Sequence, residues 1–509
     1  MNSSTNRLLK NTGLLYFRLI FLTFINLYTV RVTLEALGTV DYGVYDVIAS
    51  LVASLSILSG AMSSASQRFL SFHLGKGDFH KYSHTFTLLL IIFSIITIIL
   101  ILIGELLGYF FIEDWLTIPK DRLTAAKWVF QTSLVAFAAG LITIPYTASI
   151  VSNERMDAFA IFSIVEGVLK LLIAYMLVEY GGNRLILYGI LTALTSIVVL
   201  SMSIFYCHSK FSYCKYIWKW DRNIFSDLSK YTGWNLFGSI SGMLATQGQN
   251  ILLNIYFGPV INAAKAIADR IRNVISGFSV NLYMAASPQI IKSYAAEDYD
   301  RAMNLVIKTS KMSFLLIFVL AFPLICNMPG LLAIWLGPDA HTPDMSAFSK
   351  LILLYCMLLA LEPPITRIIQ ATGKIRNYQM SVGIITLSYI PIAAGVLALG
   401  GSPTMTLKVL IAIMTVAHVV RLIIAHRQVN LQYKPYFKYV ILTIFKIGII
   451  AIPIYVLFDN AYSNGGFLQV IGYTLLAGIL GLIIVGVLGL DKSERIMIHA
   501  IIKQKLNRK

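Results

Sequence analysis

The sequence predicts an all-α polytopic membrane protein with two parallel six-helix repeats and two further helices at the C-terminal end. Three observations carry this. The 509 residues are 57% hydrophobic and only 13% charged, with a mean hydropathy of +0.75, which excludes a soluble globular protein. Apolar stretches long enough to cross a bilayer as a helix occur about fourteen times. The chain is also written twice, offset by roughly 220 residues.

The repeat shows in turns and helix ends. Thr12-Gly13 recurs as Thr232-Gly233, Gly38 as Gly258, Asp78-Phe79 as Asp298-Tyr299, Trp115-Leu116 as Trp335-Leu336, and Pro119 is answered by Pro338. Pro145 then pairs with Pro364 and Gly181-Gly182 with Gly400-Gly401, a slip of one residue. A nearly constant shift through such positions marks an internal duplication of a membrane unit, as in transporters built from two lobes.

The spans of the first repeat are expected near residues 14–34, 43–66, 85–112, 126–150, 158–179 and 185–207. Those of the second fall near 231–256, 262–290, 309–329, 347–369, 378–399 and 404–425, followed by 437–458 and 466–489. Four segments follow: an N-terminal lobe over 1–207, a basic-aromatic linker over 208–230, a C-terminal lobe over 231–430, and two extra helices with a basic tail over 431–509.

Net charge is +17. With a cytoplasmic N-terminus, most of the 41 Lys and Arg fall in cytoplasmic loops, including Arg68/Lys76/Lys81, Lys292/Arg301, Lys374/Arg376 and the tail. That is the positive-inside asymmetry. Both termini are then cytoplasmic, and an even number of spans per repeat makes the lobes parallel. In the linker, Phe211, Tyr213, Tyr216, Trp218 and Trp220 interleave with Lys210, Lys215, Lys219 and Arg222, a composition suited to anionic lipid at the inner leaflet rather than to nucleic acid. The four cysteines lack metal spacing and are expected as free thiols.

Ionisable groups within spans mark candidate function, because lipid makes them costly. In the second span of the second repeat, Asn262, Lys265, Asp269, Arg272, Ser276, Ser279 and Tyr283 share one helical face. That stripe is expected to face a water-filled cavity or the other lobe, with Arg270 across the helix against a neighbour. The preceding span adds Gln247, Asn250 and Asn254 on one face. Arg18, Arg31 and Glu35 lie in span one, Asp46 in span two, and Glu166 with Lys170 one turn apart in span five. Glu105, Glu362, His418 and Arg421 complete the set. Arg18, Arg31, Lys265 and Arg421 also admit a plainer reading, snorkelling to the headgroups; Glu166 and Lys170 admit mutual neutralisation. A cavity in which cations outnumber carboxylates suits an anionic, phosphate-bearing cargo, since Arg offers a planar fork of donors and Lys a point charge.

No Walker motif, zinc-spaced cluster or nucleophile elbow is present, and Gly75-Lys76-Gly77-Asp78 lacks the phosphate-loop pattern. The chain reads as no enzyme, with no cofactor, and transport is expected to draw on ion gradients or on the cargo's own gradient.

The run Asn11-Thr12, Leu15-Tyr16, Arg18, Leu27-Tyr28, Arg31, Leu34, Leu37-Gly38, Asp41-Tyr42-Gly43 and Tyr45 resembles the opening of polysaccharide flippases. These belong to the multidrug/oligosaccharidyl-lipid/polysaccharide exporter (MOP) superfamily. Gly60-Ala61-Met62-Ser63, Gln67-Arg68-Phe69-Leu70-Ser71, Leu74-Gly75-Lys76-Gly77 and Pro288-Gln289 continue the likeness. It implies MATE-like, V-shaped lobes around a central cavity and alternating access. It also implies a Wzx-type flippase in the bacterial inner membrane, carrying an undecaprenyl-diphosphate-linked oligosaccharide for O-antigen, lipopolysaccharide, capsule or exopolysaccharide. By that resemblance Arg31, Lys265 and Arg272 meet the diphosphate, and Gln247, Asn250 and Asn254 the sugars. Asp46, Asp269 or Glu166 would carry a coupling proton or sodium ion, and the last two spans would hold prenyl chain. The implied partners are the lipid-linked oligosaccharide, membrane lipids, and the polymerase and glycosyltransferases of the same pathway. Two departures separate the chain from the drug-efflux branch: about two extra spans, and Arg instead of a carboxylate in span one. The alternatives are a cation-coupled multidrug exporter of the same fold and a glycan polymerase or ligase.

Overall fold

The computed structural model describes residues 3–54, 57–110, 120–217, 221–336, 342–461, 466–491 and 494–495. Two compact units emerge: 1–236 with 291–299, and 237–290 with 300–509. The chain runs through α1 (Ser3–Ser54), α2 (Ile57–Gly75), α3 (Phe79–Phe110), α4 (Leu123–Ser152), α5 (Met156–Glu179), α6 (Arg184–Lys210), α7 (Arg222–Phe257) and α8 (Pro259–Ala295). It continues through α9 (Tyr299–Cys326), α10 (Met328–Leu336), α11 (Pro343–Leu359), α12 (Glu362–Ala371), α13 (Arg376–Leu387), α14 (Tyr389–Ala398), α15 (Met405–Val429), α16 (Tyr433–Tyr436), α17 (Leu442–Ala461) and α18 (Phe467–Ile484). No strand occurs among the described residues.

Among those residues, ten helices or helix pairs are long and apolar enough to cross a membrane by length and composition. The other four predicted spans lie in α1, α2, α7 and α8, the first two of each repeat. These are the helices that carry most of the polar residues singled out above.

Two predicted spans are broken helices, for a local reason. Pro363-Pro364 removes two successive amide donors, and the tenth span divides into α11 and α12 at Ala360–Leu361. Its counterpart α4 holds only Pro145 and stays continuous. In the eleventh span the ring of Pro391 opposes the carbonyl four residues back, and α13 gives way to α14 at Ser388.

The duplication is visible in the backbone. Gly38 (φ 78°) and Gly258 (φ 76°) are left-handed 220 residues apart, as are Gly77 (φ 68°) and Glu297 (φ 62°). Glu154 (φ 59°) and Gly373 (φ 77°) repeat at an offset of 219, after the same one-residue slip that Pro145 and Pro364 show. At 77 and 297 the same pair of turn bonds forms: Gly77 N to Leu74 O and Asp78 N to His73 O, matched by Glu297 N to Tyr294 O and Asp298 N to Ser293 O. These bonds close the helix end as a left-handed cap. An L-residue held left-handed costs roughly 1–2 kcal/mol. Glu297 is exposed, so Glu297→Gly is expected to raise stability by about 1 kcal/mol. Thermal unfolding in detergent checks this, and an unchanged or lower melting temperature contradicts it.

In unit 1, the second arm of α1 packs Val44, Ile48 and Val52 against Ala125, Ala126, Val129, Phe130 and Leu134 of α4 and Leu185 of α6. Between helices in lipid, such contacts act through close packing, since hydrocarbon surrounds both partners. Arg184 ties the ends of α1's first arm and α5, giving hydrogen bonds to the carbonyls of Ala36 (2.9 Å), Tyr180 (3.0 Å) and Val178 (3.1 Å). A Cβ at Gly75 would lie 2.7 Å from the carbonyl oxygen of Lys292, so the end of α2 closes directly on the end of α8. Lys292 Nζ in turn donates to Glu154 Oε1 at 2.9 Å.

Part of the described linker, residues 211–217, packs into protein, while Lys215 and Tyr216 stay exposed. Phe211 and Cys214 are buried. The Tyr213 ring stacks on Phe79 (5.0 Å) and Phe211 (5.9 Å), and its hydroxyl donates to Asn153 Oδ1. Burial pushes the Tyr213 phenol up to about 12, keeping it a donor. Ser83 Oγ and Thr87 Oγ1 take up linker backbone at residues 213, 215 and 217. Polar residues on α3 give the linker backbone partners that lipid would not, and they hold its first half in protein. All four cysteines are free and buried.

Candidate functional site

The polar residues of unit 2 converge on α7 and α8. Gly258 separates two helical arms, each long enough to cross a bilayer once. Counted along either arm, Gln247 lies eleven residues before Gly258, and Asp269 and Arg270 lie eleven and twelve after. At 1.5 Å per residue this is about 16 Å from the turn, half the thickness of a hydrocarbon core.

On α8, Lys265 is 1% exposed and donates to Asp269 Oδ2 at 2.6 Å. Arg272 Nη2 reaches the other oxygen, Asp269 Oδ1, at 3.4 Å. One carboxylate therefore serves two cations. The i,i+4 and i,i+3 spacings that put these side chains on one face also let them meet. Lys265 does not snorkel, because its ammonium is held inside the protein.

Part of the stripe expected to face a cavity or the other lobe packs into its own unit, while Arg272 and Asp269 keep 23% and 21% of their side chains exposed. Ser276 Oγ lies 3.5 Å from Cys356 Sγ on α11, and the Tyr283 ring lies 5.0 Å from the guanidinium of Arg367 on α12. Ion pairing with Asp269 lets Lys265 bury. The exposed face of α8 carries Arg270 and Asn273, so Arg270 is not turned against a helix neighbour. It forms no ion pair or hydrogen bond among the described residues. Gln247 is exposed on α7, and Asn250 Nδ2 donates to its Oε1 at 3.1 Å. A guanidinium facing lipid at mid-depth would be very costly. The charges of Lys265, Asp269, Arg270 and Arg272 sum to +2.

A second ionic group lies deeper. Arg421 of α15 is 6% exposed and its Nη1 donates to Glu362 Oε1 of α12. Arg421 Nε approaches Tyr378 OH at 3.4 Å, which pairs with Thr366 Oγ1 at 2.9 Å. His418 Nε2 meets Tyr436 OH at 3.3 Å. Arg421 therefore does not snorkel either. The 59 positions separating Glu362 from Arg421 left no spacing by which the sequence could betray the pair.

In unit 1, Glu166 and Lys170 form an ion pair at 2.6 Å, each about 40% exposed. Arg18 donates to Ser163 Oγ at 3.0 Å and lies 4.6 Å over the Phe159 ring, turned against α5 rather than out to headgroups. Glu105 accepts from Gln131 Nε2 at 2.9 Å. The side chains of Arg31, Asp46 and Asn254 lie outside the described residues, as do Trp115, Pro119, Trp218, Pro338 and the basic tail. No cluster of three or more His, Cys, Asp or Glu with metal-binding geometry occurs among the described residues.

Residues 239–397 match the MatE family model. The chain superposes on an outward-facing multidrug resistance MATE family transporter of the MOP superfamily with a TM-score of 0.72, at 12% identity, over 84% of this chain and 96% of that one. The fold is that of a MATE transporter. A MATE structure in complex with MaD3S gives the same TM-score, 0.72, at 11% identity, over 84% of this chain and 97% of that one. A MOP superfamily transporter from Pyrococcus furiosus, described as having a binding pocket of reverse polarity that suggests a different function, aligns with a TM-score of 0.69 at 12% identity, over 84% and 98%. Among curated proteins no sequence matches the chain. The MATE fold and the apolar helices together make this a multi-pass membrane protein.

Proposed function

We propose that this protein is a flippase for a lipid-linked oligosaccharide with an anionic, diphosphate-type headgroup, moved across a bacterial inner membrane by alternating access. The excess of cations over carboxylates at mid-depth on α8, with Arg270 exposed and Arg272 only partly satisfied by Asp269, carries the reading. A guanidinium in a low-dielectric, wetted recess attracts phosphate strongly and binds it through two parallel hydrogen bonds. A pore for cationic drugs calls for the opposite sign. Arg270 and Arg272 hold the diphosphate, Lys265 keeps Asp269 neutralised, and Gln247 with Asn250 offers hydrogen bonds to the sugars. Arg31 and Asn254 join this set, and Asp46, Asp269 or Glu166 accepts the coupling proton or sodium ion. The polymerase and glycosyltransferases of the same glycan pathway are the expected partners.

The second reading, a cation-coupled multidrug exporter, draws support from the multidrug transporters among the structural neighbours. Proteoliposomes separate the two. Wild-type protein is expected to flip the undecaprenyl-diphosphate-linked sugar, and Arg270→Ala/Arg272→Ala to do so at least tenfold more slowly. Cationic dye efflux by the wild type, with no sugar-lipid movement, would establish the exporter.

A further inference from the structure

Between Glu362 and Asp459 the chain carries nine Lys or Arg and not one Asp or Glu. Two of the nine, Arg367 and Arg421, are buried in the helical core of unit 2. Four others gather at the end of the unit where α15 stops. Gln428 Nε2 donates to the carbonyl of Lys374 at 3.1 Å, drawing the α12–α13 loop beside Arg427. Asn430 turns the chain in a left-handed cap. The His426 ring then stacks on Tyr433 at 4.2 Å, bringing Lys434 back to the same corner. Lys438 follows one turn later, its ammonium 5.6 Å from the Tyr439 ring.

The backbone here is specialised. Phe437–Ile441 forms a π turn between α16 and α17, and such a widened turn recurs at functional positions. Leu431, Tyr436 and Val440 anchor it inward at 0%, 2% and 1% exposure. Tyr433, Phe437 and Tyr439 stand outward at 44%, 56% and 41%. Lys374, Arg427, Lys434 and Lys438 are exposed and pair with no carboxylate among the described residues. Two candidate spans, Met405–Val429 and Tyr433–Phe458, meet at this corner, which fixes it at a membrane–water boundary. Half-exposed aromatics beside unpaired cations at that depth match a phosphodiester above and the glycerol and first methylenes below.

We propose that this corner of unit 2 docks the headgroup of an anionic glycerophospholipid. Lys374, Arg427, Lys434 and Lys438 surround its phosphate, and Tyr433, Phe437 and Tyr439 line its glycerol. The site is separate from the residues assigned to cargo, and it stands whether or not the flippase reading does.

Thermal unfolding of the full-length protein in uncharged detergent tests it, with phosphatidylglycerol, phosphatidylcholine or inorganic phosphate added in turn. Phosphatidylglycerol is expected to raise the melting temperature of the wild type, and the other two to leave it unchanged. At about fivefold per cation, Arg427→Gln/Lys434→Gln/Lys438→Gln is expected to move the phosphatidylglycerol midpoint about 100-fold higher. Arg427→Lys/Lys434→Arg/Lys438→Arg should keep it. All these residues are exposed, so the variants retain the fold, which their melting temperature without lipid verifies. A wild-type response in the glutamine variant overturns the proposal. So does an equal shift with phosphatidylcholine, and one with inorganic phosphate would make this a free-anion site instead.

Discussion

Asp491→Asn/Glu494→Gln is expected to destabilise unit 2 by about 3 kcal/mol or more. Lys311 of α9 is buried, its side chain 3% exposed, and its ammonium lies 2.9 Å from Asp491 Oδ2 and 2.8 Å from Glu494 Oε2. The partners are unequal. Asp491 is half exposed and can turn to water if the lysine is lost, while Glu494, 15% exposed, keeps the Asp491 amide as a donor at 2.8 Å. Lys311 has no such exit. Removing the acids strands a charge in apolar surroundings, whereas Lys311→Met puts a side chain of similar length into the same space and costs less. Lys311→Met/Asp491→Asn/Glu494→Gln should therefore melt close to the wild type. If the acid-free variant melts with the wild type, the ammonium reaches solvent and the buried-charge account is wrong.

The Glu362–Arg421 pair is expected to show a comparable asymmetry in the same sense. Glu362→Gln leaves a guanidinium that is 6% exposed with only the 3.4 Å approach to Tyr378. A guanidinium cannot shed its proton at accessible pH, so the charge stays buried and a loss of about 3–5 kcal/mol follows. Arg421→Gln leaves a carboxyl group, which can take up a proton and become neutral, and costs distinctly less. Comparing the two melting temperatures decides this. Equal losses would mean that hydrogen-bond geometry, and not charge burial, holds α12 to α15.

What the sequence could and could not disclose follows from what helical periodicity measures. Gly38 and Gly258 were readable as matching joints because a left-handed turn between two long helices demands glycine. The alignment of Asn262, Lys265, Asp269, Arg272 and Ser276 on one face of α8 was readable from the 3.6-residue period. The direction of that face was not. In lipid a polar stripe can turn into protein as well as toward water, and Lys265 shows that one carboxylate at the right spacing suffices to bury it. Arg270, off the stripe, proves to be the exposed cation. Pairs such as Glu362 with Arg421, or Lys311 with Asp491, depend on which helices neighbour one another, and a lone span carries no record of its neighbours.

The left-handed stations have an unequal history in the two copies. Glycine sits at 77 and 373, and glutamate at 154 and 297. At 297 the larger residue returns nothing visible for its torsional penalty. At 154 the same residue has become a fastener: its backbone oxygen takes a hydrogen bond from Asn11 at 3.2 Å, and its carboxylate grips Lys292. Three helices that are distant in the chain, α1, α4 and α8, are thus riveted at one joint. The same duplicated station is bolted through its side chain in one half and left to a bare glycine in the other.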